Sequence, residues 1–346
     1  MSEGVYTIVQ LGRQSSVGTA VATTTVFPVD QGFLGFNLDR ALESPDEDMG
    51  STSRELAGRA STGVRWATAS IPFVGRFQDF MHAMEMHVAT IGTPTGTASP
   101  YSYVWAFDES ANALSSALKP YSLEYGVSGS TQDEWLATGV IADKLTFGFD
   151  ALTAPGNSMW KGSLDLVALD RSVHTITTSQ SAPSTLETME GHLTTLAEGP
   201  VGTAFASLSA LTGSLKQFSF TSTNNAVARV YGGSSDKATA IGRSAKGDVE
   251  FDALIGISST SKTDIHDIYN VSGSVPTERR WRLVCTGSGV NSLTIDFRAR
   301  FTAVDVGESN GEHLYQVHGK WVKDSALGSS GARGAFTLAN AVSSIP

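Results

Sequence analysis

Gly242-Arg243-Ser244-Ala245, followed by Gly247, repeats Gly58-Arg59-Ala60-Ser61, followed by Gly63, at a separation of 184 residues. The surroundings keep that separation. Upstream, Leu34, Phe36 and Leu38 alternate through 33–38 and Phe218 and Phe220 alternate through 215–221, the period-two pattern of half-buried strands; Leu34 matches Phe218 and Phe36 matches Phe220. Downstream, Val249, Phe251, Ala253, Ile255 and Ile257 share one face of a further strand, whose counterpart runs through 64–73. Phe77, Phe80, Met81 and Met84 then gather on one side of a short helix, answered by Ile265, Ile268 and Tyr269. Tyr121, Leu123, Tyr125 and Val127 alternate, as do Trp281, Leu283 and Cys285. Each copy closes on a hairpin. In the first, Leu145, Phe147 and Phe149 lead through Pro155-Gly156-Asn157 to Trp160, Leu164 and Leu166. In the second, Leu293, Ile295, Phe297, Ala299 and Phe301 lead through Asn310-Gly311 to Tyr315, Val317 and Trp321.

The same element order written twice predicts a mostly β chain of two tandem β-sandwich units, each with a short flanking α-helix. The first unit spans 1–170, with an N-terminal arm and an insertion near 87–118. A Ser- and Thr-rich stretch, 171–202, reads as a connector. The second unit spans 203–346 and ends in a C-terminal arm. Residues 12–19 and 326–346 show no core pattern, so both arms are expected to order only against a neighbouring subunit.

Composition agrees with β architecture: 346 residues suffice for two domains, and only 17% are charged while Gly numbers 35, a mixture of strands and turns, not of charged helices. A net charge of -10 argues against sequence-independent affinity for nucleic acid. The single cysteine, Cys285, excludes an intrachain disulfide and a cysteine zinc site, and its place on a core-facing row makes it an inert thiol. Neither a secretory signal at the N-terminus nor an apolar run long enough to cross a membrane is legible, so synthesis in a cytoplasm is expected and Asn270-Val271-Ser272 is a chance glycosylation triplet.

Catalysis has no candidate constellation, and no cofactor is expected. His82 and His87 flank Glu85 but stand five apart, not the four a zinc-binding helix face requires, which suggests a surface pair. His313 and His318, on a strand, point to opposite faces. Ser116-Ala117-Leu118-Lys119 matches an acyl-transfer pattern whose companion elements are missing. Glu43, Asp46, Glu47 and Asp48 could in principle hold Ca²⁺, yet lack the order of a calcium loop; the economical reading is the solvated tip of a long loop over 39–55. The second copy has a loop at 223–240. Asp39, Glu43, Asp46, Glu47, Asp48 and Arg54 of the first loop, with Arg229 and Lys237 of the second, are therefore candidates for head-to-tail stacking, acidic tip against basic.

Leu11-Gly12-Arg13-Gln14-Ser15-Ser16-Val17-Gly18-Thr19-Ala20, then Val26-Phe27-Pro28-Val29, a strand, a long acidic loop and Gly-Arg, resemble the start of the major tail tube proteins of long-tailed, siphovirus-type bacteriophages. Residues 215–254, with Asn224-Asn225 and Ile241-Gly242-Arg243, are similar to the second half of that family. The resemblance implies a structural virion protein of the tail, polymerising into stacked rings that form the conduit for viral DNA. The DNA would pass without specific binding, and a tape measure protein, a tail terminator and further copies of the chain would be the partners. Family rings present about six units, so two units per chain imply a homotrimer with pseudo-sixfold symmetry, a homohexamer being the alternative. A net-negative lumen would let DNA slide. The competing reading is a two-domain β-sandwich adhesin, carbohydrate binder or virion decoration protein.

Overall fold

The computed structural model describes residues 8–30, 33–43, 61–89, 94–96, 98–107, 118–127, 133–152, 158–178, 180, 185–211, 215–229, 237–244, 247–267, 269, 278–309, 311–327 and 331–345, with 39–43, 61–64 and 309 by backbone alone. The protein is mostly β, with large antiparallel sheets. Its first half runs β1 (Ile8–Arg13), β2 (Thr25–Val26), β3 (Asn37–Glu43), β4 (Ser61–Val74), helix α1 (Phe80–His87), β5 (Tyr101–Ala106), β6 (Tyr121–Gly126), β7 (Glu134–Asp150), β8 (Lys161–Ala168) and β9 (Asp170–Val173). The second runs β10 (Thr194–Pro200), β11 (Ser209–Ala210), β12 (Leu215–Thr223), β13 (Ala226–Arg229), β14 (Ala240–Arg243), β15 (Asp248–Gly256), a helical segment over 259–267, β16 (Glu278–Thr286), β17 (Ser292–Ser309), β18 (Glu312–Val322) and β19 (Gly334–Asn340).

The pairing pattern repeats. In the first half β1 pairs β2 and β6, β3 pairs β4, β4 pairs β8, and β7 pairs β6, β8 and β9. In the second half β10 pairs β11 and β16, β12 pairs β15, β15 pairs β18, and β17 pairs β16, β18 and β19. These are the same connections, all antiparallel, in the same chain order. The long strands β7 and β17 each bend at a bulge against the following hairpin partner, between Ala142 and Lys144 in one and between Phe301 and Ala303 in the other. Counting from the bulges, the cross-strand row Asn37, Thr68, Val167, Ile141 occupies the place of the row Thr221, Glu250, Lys320, Arg300.

Three features differ from the sequence reading. Strand β3 begins only at Asn37, because Gly35 sits at φ 84 and breaks the extended run; Phe33 and Phe36 both turn inward against Tyr125, and Leu34 is left 72% exposed. The arms are not idle. Gln14 is buried and bonded to Ser122, and the C-terminal segment supplies β19, whose Phe336 and Leu338 enter the core. The stretch 171–202 is a connection only in part, since it holds most of β9 and all of β10, where a single Leu196 between Thr and Gly residues gave too little alternation to reveal a strand.

Apolar faces from both halves form one continuous core. Its centre is aromatic: Phe147 stacks on Phe80 of α1 at 4.5 Å and on Trp160 at 4.8 Å, while Phe297 stacks on Trp321 at 4.5 Å. Helix α1 is buried on every side. His82 and His87, expected at the surface, are 3% and 1% exposed, because the insertion and the second half wrap the face that an isolated amphipathic helix would show to water. The insertion carries β5, which pairs with β19 of the other half. Buried Glu85 is held by Arg13 at 2.7 Å and by the Tyr121 hydroxyl at 2.8 Å, and Arg13 also donates to the Ile345 carbonyl. Cys285 is buried, as its row predicts, with its sulfur against the Glu190 carbonyl.

Candidate assembly interface

The two halves meet edge to edge. Strand β12 pairs with the outer half of β7 over seven residue pairs, from Gln217 opposite Asp150 to Thr223 opposite Lys144. This seam fuses β3, β4, β8 and β7 with β12, β15, β18 and β17 into one sheet. Why it forms follows from alternation on both edges. Phe218 and Phe220 lie opposite Phe149 and Phe147 on the core face, and Thr221 lies opposite Thr146 on the other, their hydroxyls 3.3 Å apart. That other face is polar over its centre, where the row Ser163, Thr146, Thr221, Glu250, Lys320, Arg300 crosses six strands.

A polar lock closes one end of the seam. The Asn224 backbone N–H donates to the carbonyl of Asp143, the bulge residue, at 2.6 Å, and the Asp143 carboxylate accepts from Ala226 N–H at 2.5 Å. The Asn224 side-chain amide donates to the carbonyls of His87 and Ala142, and its oxygen accepts from Arg243. His87 Nε2 stands 2.8 Å from the Ser222 hydroxyl. Around this lock lies a cavity of about 40 Å³, bounded also by Phe107 and Arg333, room for little more than a water. Asn224→Ala is expected to cost about 1–3 kcal/mol, since it strands two buried carbonyls, and urea unfolding measures the loss.

The imidazoles of this helix give the fold a pH dependence with a definite sign. Burial, aided by Arg243, lowers the His87 pKa to about 4 against the Ala142 bond that raises it; burial, then Arg13, lowers that of His82 to about 3. Each imidazole therefore gains its proton on unfolding between about pH 6.5 and its folded value, so stability is full above that window and falls as pH drops into it. Burial raises Asp79 to about 6 against the pull of Arg76, which works oppositely: its penalty is present above about pH 6 and is relieved on acidification. Two imidazoles outweigh one carboxyl. From these three groups, lowering pH from 7 to 5 should cost roughly 2–3 kcal/mol, and a His82→Gln, His87→Gln double variant should remove the imidazole part of that slope in denaturant titrations.

The predicted loop residues are distributed as follows. Asp39 and Glu43 lie on strand β3, not in a loop, since pairing with β4 carries the strand past residue 38. Asp46, Glu47, Asp48 and Arg54 fall outside the described residues. Arg229 ends β13 and donates to the Arg243 carbonyl, and Lys237 reaches Asp170 at 2.5 Å. The second long loop thus folds back as the hairpin β13–β14, with Ala226, Ala228, Ala238 and Ile241 packed on Leu118, Ile141, Val167 and Leu169 of the first half. It clasps the seam from the polar side. Its small residues, Ala-Val-Ala-Arg and Ala-Ile-Gly-Arg, carried too weak an alternation to be read as strands. Among the described residues, no three metal-ligating side chains converge, and no helix is long and apolar enough to cross a membrane.

Two strand edges correspond in position to the two that form the seam. Among the described residues, strand β3 pairs with β4, while its counterpart β12 pairs on both sides. Beyond Phe301, among the described residues, β17 pairs with β18, while the matching part of β7 pairs with both β8 and β12. Two residues placed like buried seam residues are exposed here: Val306 is 59% exposed where Phe147 is 0%, and Leu38 is 36% exposed where Ser222 is 3%. Sequence reasoning named neither edge, because alternation reports which face is apolar and not whether a strand has a second neighbour. No protein-family model matches the chain, and no curated protein is significantly similar to it.

Proposed function

We propose that this chain is a structural subunit of the phage tail tube type, built of two tandem tail-tube-like units and polymerising into stacked rings that conduct viral DNA. The observation that carries the reading is the internal seam: two halves with the same strand connections already join side by side into one sheet, and the corresponding outer edges carry exposed apolar residues. A sheet extended in this way by further copies closes when the rotation per unit divides a full turn. With two units per chain, three chains supply the six that the family resemblance implies. A homohexamer is the alternative.

The polar face of the continuous sheet suits a water-filled bore, and the chain's net charge of -10 suits one through which DNA moves without being held. Residence in the virion tail, with a tape measure protein and a tail terminator as partners, follows from the same reading. Negative-stain electron microscopy of the purified protein over a concentration series tests it directly. Rings or tubes are the expected result, whereas a monodisperse monomer at the highest concentration reached would sink the reading.

A further inference from the structure

We infer that the helical segment over 259–267, with Tyr269, docks on the first half of a second copy, against Leu38 of β3 and Val173 of β9, as α1 docks on β12 and β19 within the chain. This rests on the assembly reading above and specifies one of its contacts. The correspondence between the halves places each residue. Counted along the chain from the matched pair Thr68 and Glu250, Tyr269 takes the place of His87 and Lys262 that of Phe80. The bonds support the count. His87 Nδ1 stands 3.3 Å from the carbonyl of Ala142, beside the β7 bulge, and the Tyr269 hydroxyl donates to the carbonyl of Thr302, in the β17 bulge, at 2.6 Å. On the receiving side Leu38 takes the place of Ser222. The cross-strand row Val9, Tyr125, Trp135, Val173 takes that of Leu196, Leu283, Ile295, Phe336, once the extra residue of β7 between Ala137 and Val140 is left out.

Within the chain, α1 covers these counterparts from across the seam. His87 Nε2 meets the Ser222 hydroxyl at 2.8 Å, Phe80 lies 6.2 Å from Phe336, and Ser222 and Phe336 are both buried. Their equivalents in the first half are uncovered: Leu38 is 36% exposed and Val173 75%, and Leu34, four residues before Leu38, is 72% exposed. The covering element shows the matching difference. Every residue of α1 is buried, whereas Ser259, Thr260, Lys262 and Thr263 are exposed and Tyr269 is half-buried. A contact made once inside the chain is thus presented again on its surface, the covering segment in the second half and the apolar residues to be covered in the first, and a second copy completes it head to tail. The Tyr269 ring would cover Leu38, and the aliphatic stem of Lys262, its ammonium held by Asp267 at 2.6 Å, would lie along Val173.

Mixing two defective chains tests the contact. The double variant Leu38→Glu, Val173→Glu loses the receiving surface and keeps Tyr269; Tyr269→Ala loses the covering ring and keeps the receiving surface. In sedimentation velocity, with circular dichroism melts to verify that each chain is folded, each alone should stay monomeric at concentrations where the unaltered chain assembles. Their equimolar mixture should stop at a dimer, because one sound contact joins the two chains and the opposite pairing combines both defects. Should Tyr269→Ala melt below the working temperature, Lys262→Glu, whose side chain is 57% exposed, takes its place. Rings or tubes from the Leu38→Glu, Val173→Glu variant would overturn this contact and leave the assembly function standing. A mixture of folded variants that stays monomeric, beside an unaltered chain that assembles, would do the same. An unaltered chain that never assembles would overturn both.

Discussion

Phe220→Ala is expected to lower the stability of the whole chain by about 3–5 kcal/mol, not that of its second half alone. Phe220 is 1% exposed on β12, and its ring lies 6.3 Å from Phe147 of the first half, 5.2 Å from Trp321 and 5.5 Å from Phe336 of the second. Removing it opens a cavity shared by both. Neither half can close that cavity by relaxing alone, because β12 is pinned by β7 on one side and β15 on the other. Phe220→Leu, which keeps most of the volume, should cost about 1 kcal/mol. Denaturant unfolding followed by far-ultraviolet circular dichroism and by tryptophan fluorescence checks the claim, since the six tryptophans are spread over both halves and a stepwise loss would show as a biphasic signal. Coincident transitions, both displaced by the alanine variant, are expected. Two separate transitions, with only one displaced, would mean that the halves are energetically independent despite their common sheet.

The strands legible in the sequence were those whose core face is large and whose other face is polar. Tyr121, Leu123 and Tyr125 in β6, Trp281, Leu283 and Cys285 in β16, and Val249 to Ile255 in β15 all lie where alternation places them. What alternation misses has three physical causes. Strands β10 and β13 hold few large apolar residues and owe their existence to long-range partners. Helix α1 hides Glu85, His82 and His87 because Arg13, Tyr121, Ser222 and backbone carbonyls satisfy them, a compensation that no local window contains. One backbone conformation at Gly35 cancels the alternation of Leu34, Phe36 and Leu38. The candidate interface was harder still. The loops that attracted attention through charge are spent partly inside the chain, at Lys237 and Arg229, whereas the edges that correspond to the seam belong to strands whose patterns look like any core strand.

Val306→Lys should abolish polymerisation while leaving the isolated chain folded. The side chain is 59% exposed on β17, so in the single copy a lysine can extend into water and the substitution stays within the range of surface changes, about 0.5 kcal/mol. In the assembly proposed above, where this exposed valine is covered by another copy, an ammonium group without a partner must shed its water, and an inward charge on a strand is a device natural sheets use to refuse pairing. If the penalty is about 3 kcal/mol per contact, each association weakens roughly a hundredfold. Closure requires every seam of a ring, so the loss compounds, and no ring should survive at concentrations that assemble the unaltered chain. Sedimentation velocity with parallel thermal melts distinguishes the outcomes. Val290→Lys, an exposed valine in the turn before β17, is the matched control and should assemble normally. Assembly of Val306→Lys at unchanged concentration would show that Val306 is not covered in the particle and that the copies meet elsewhere.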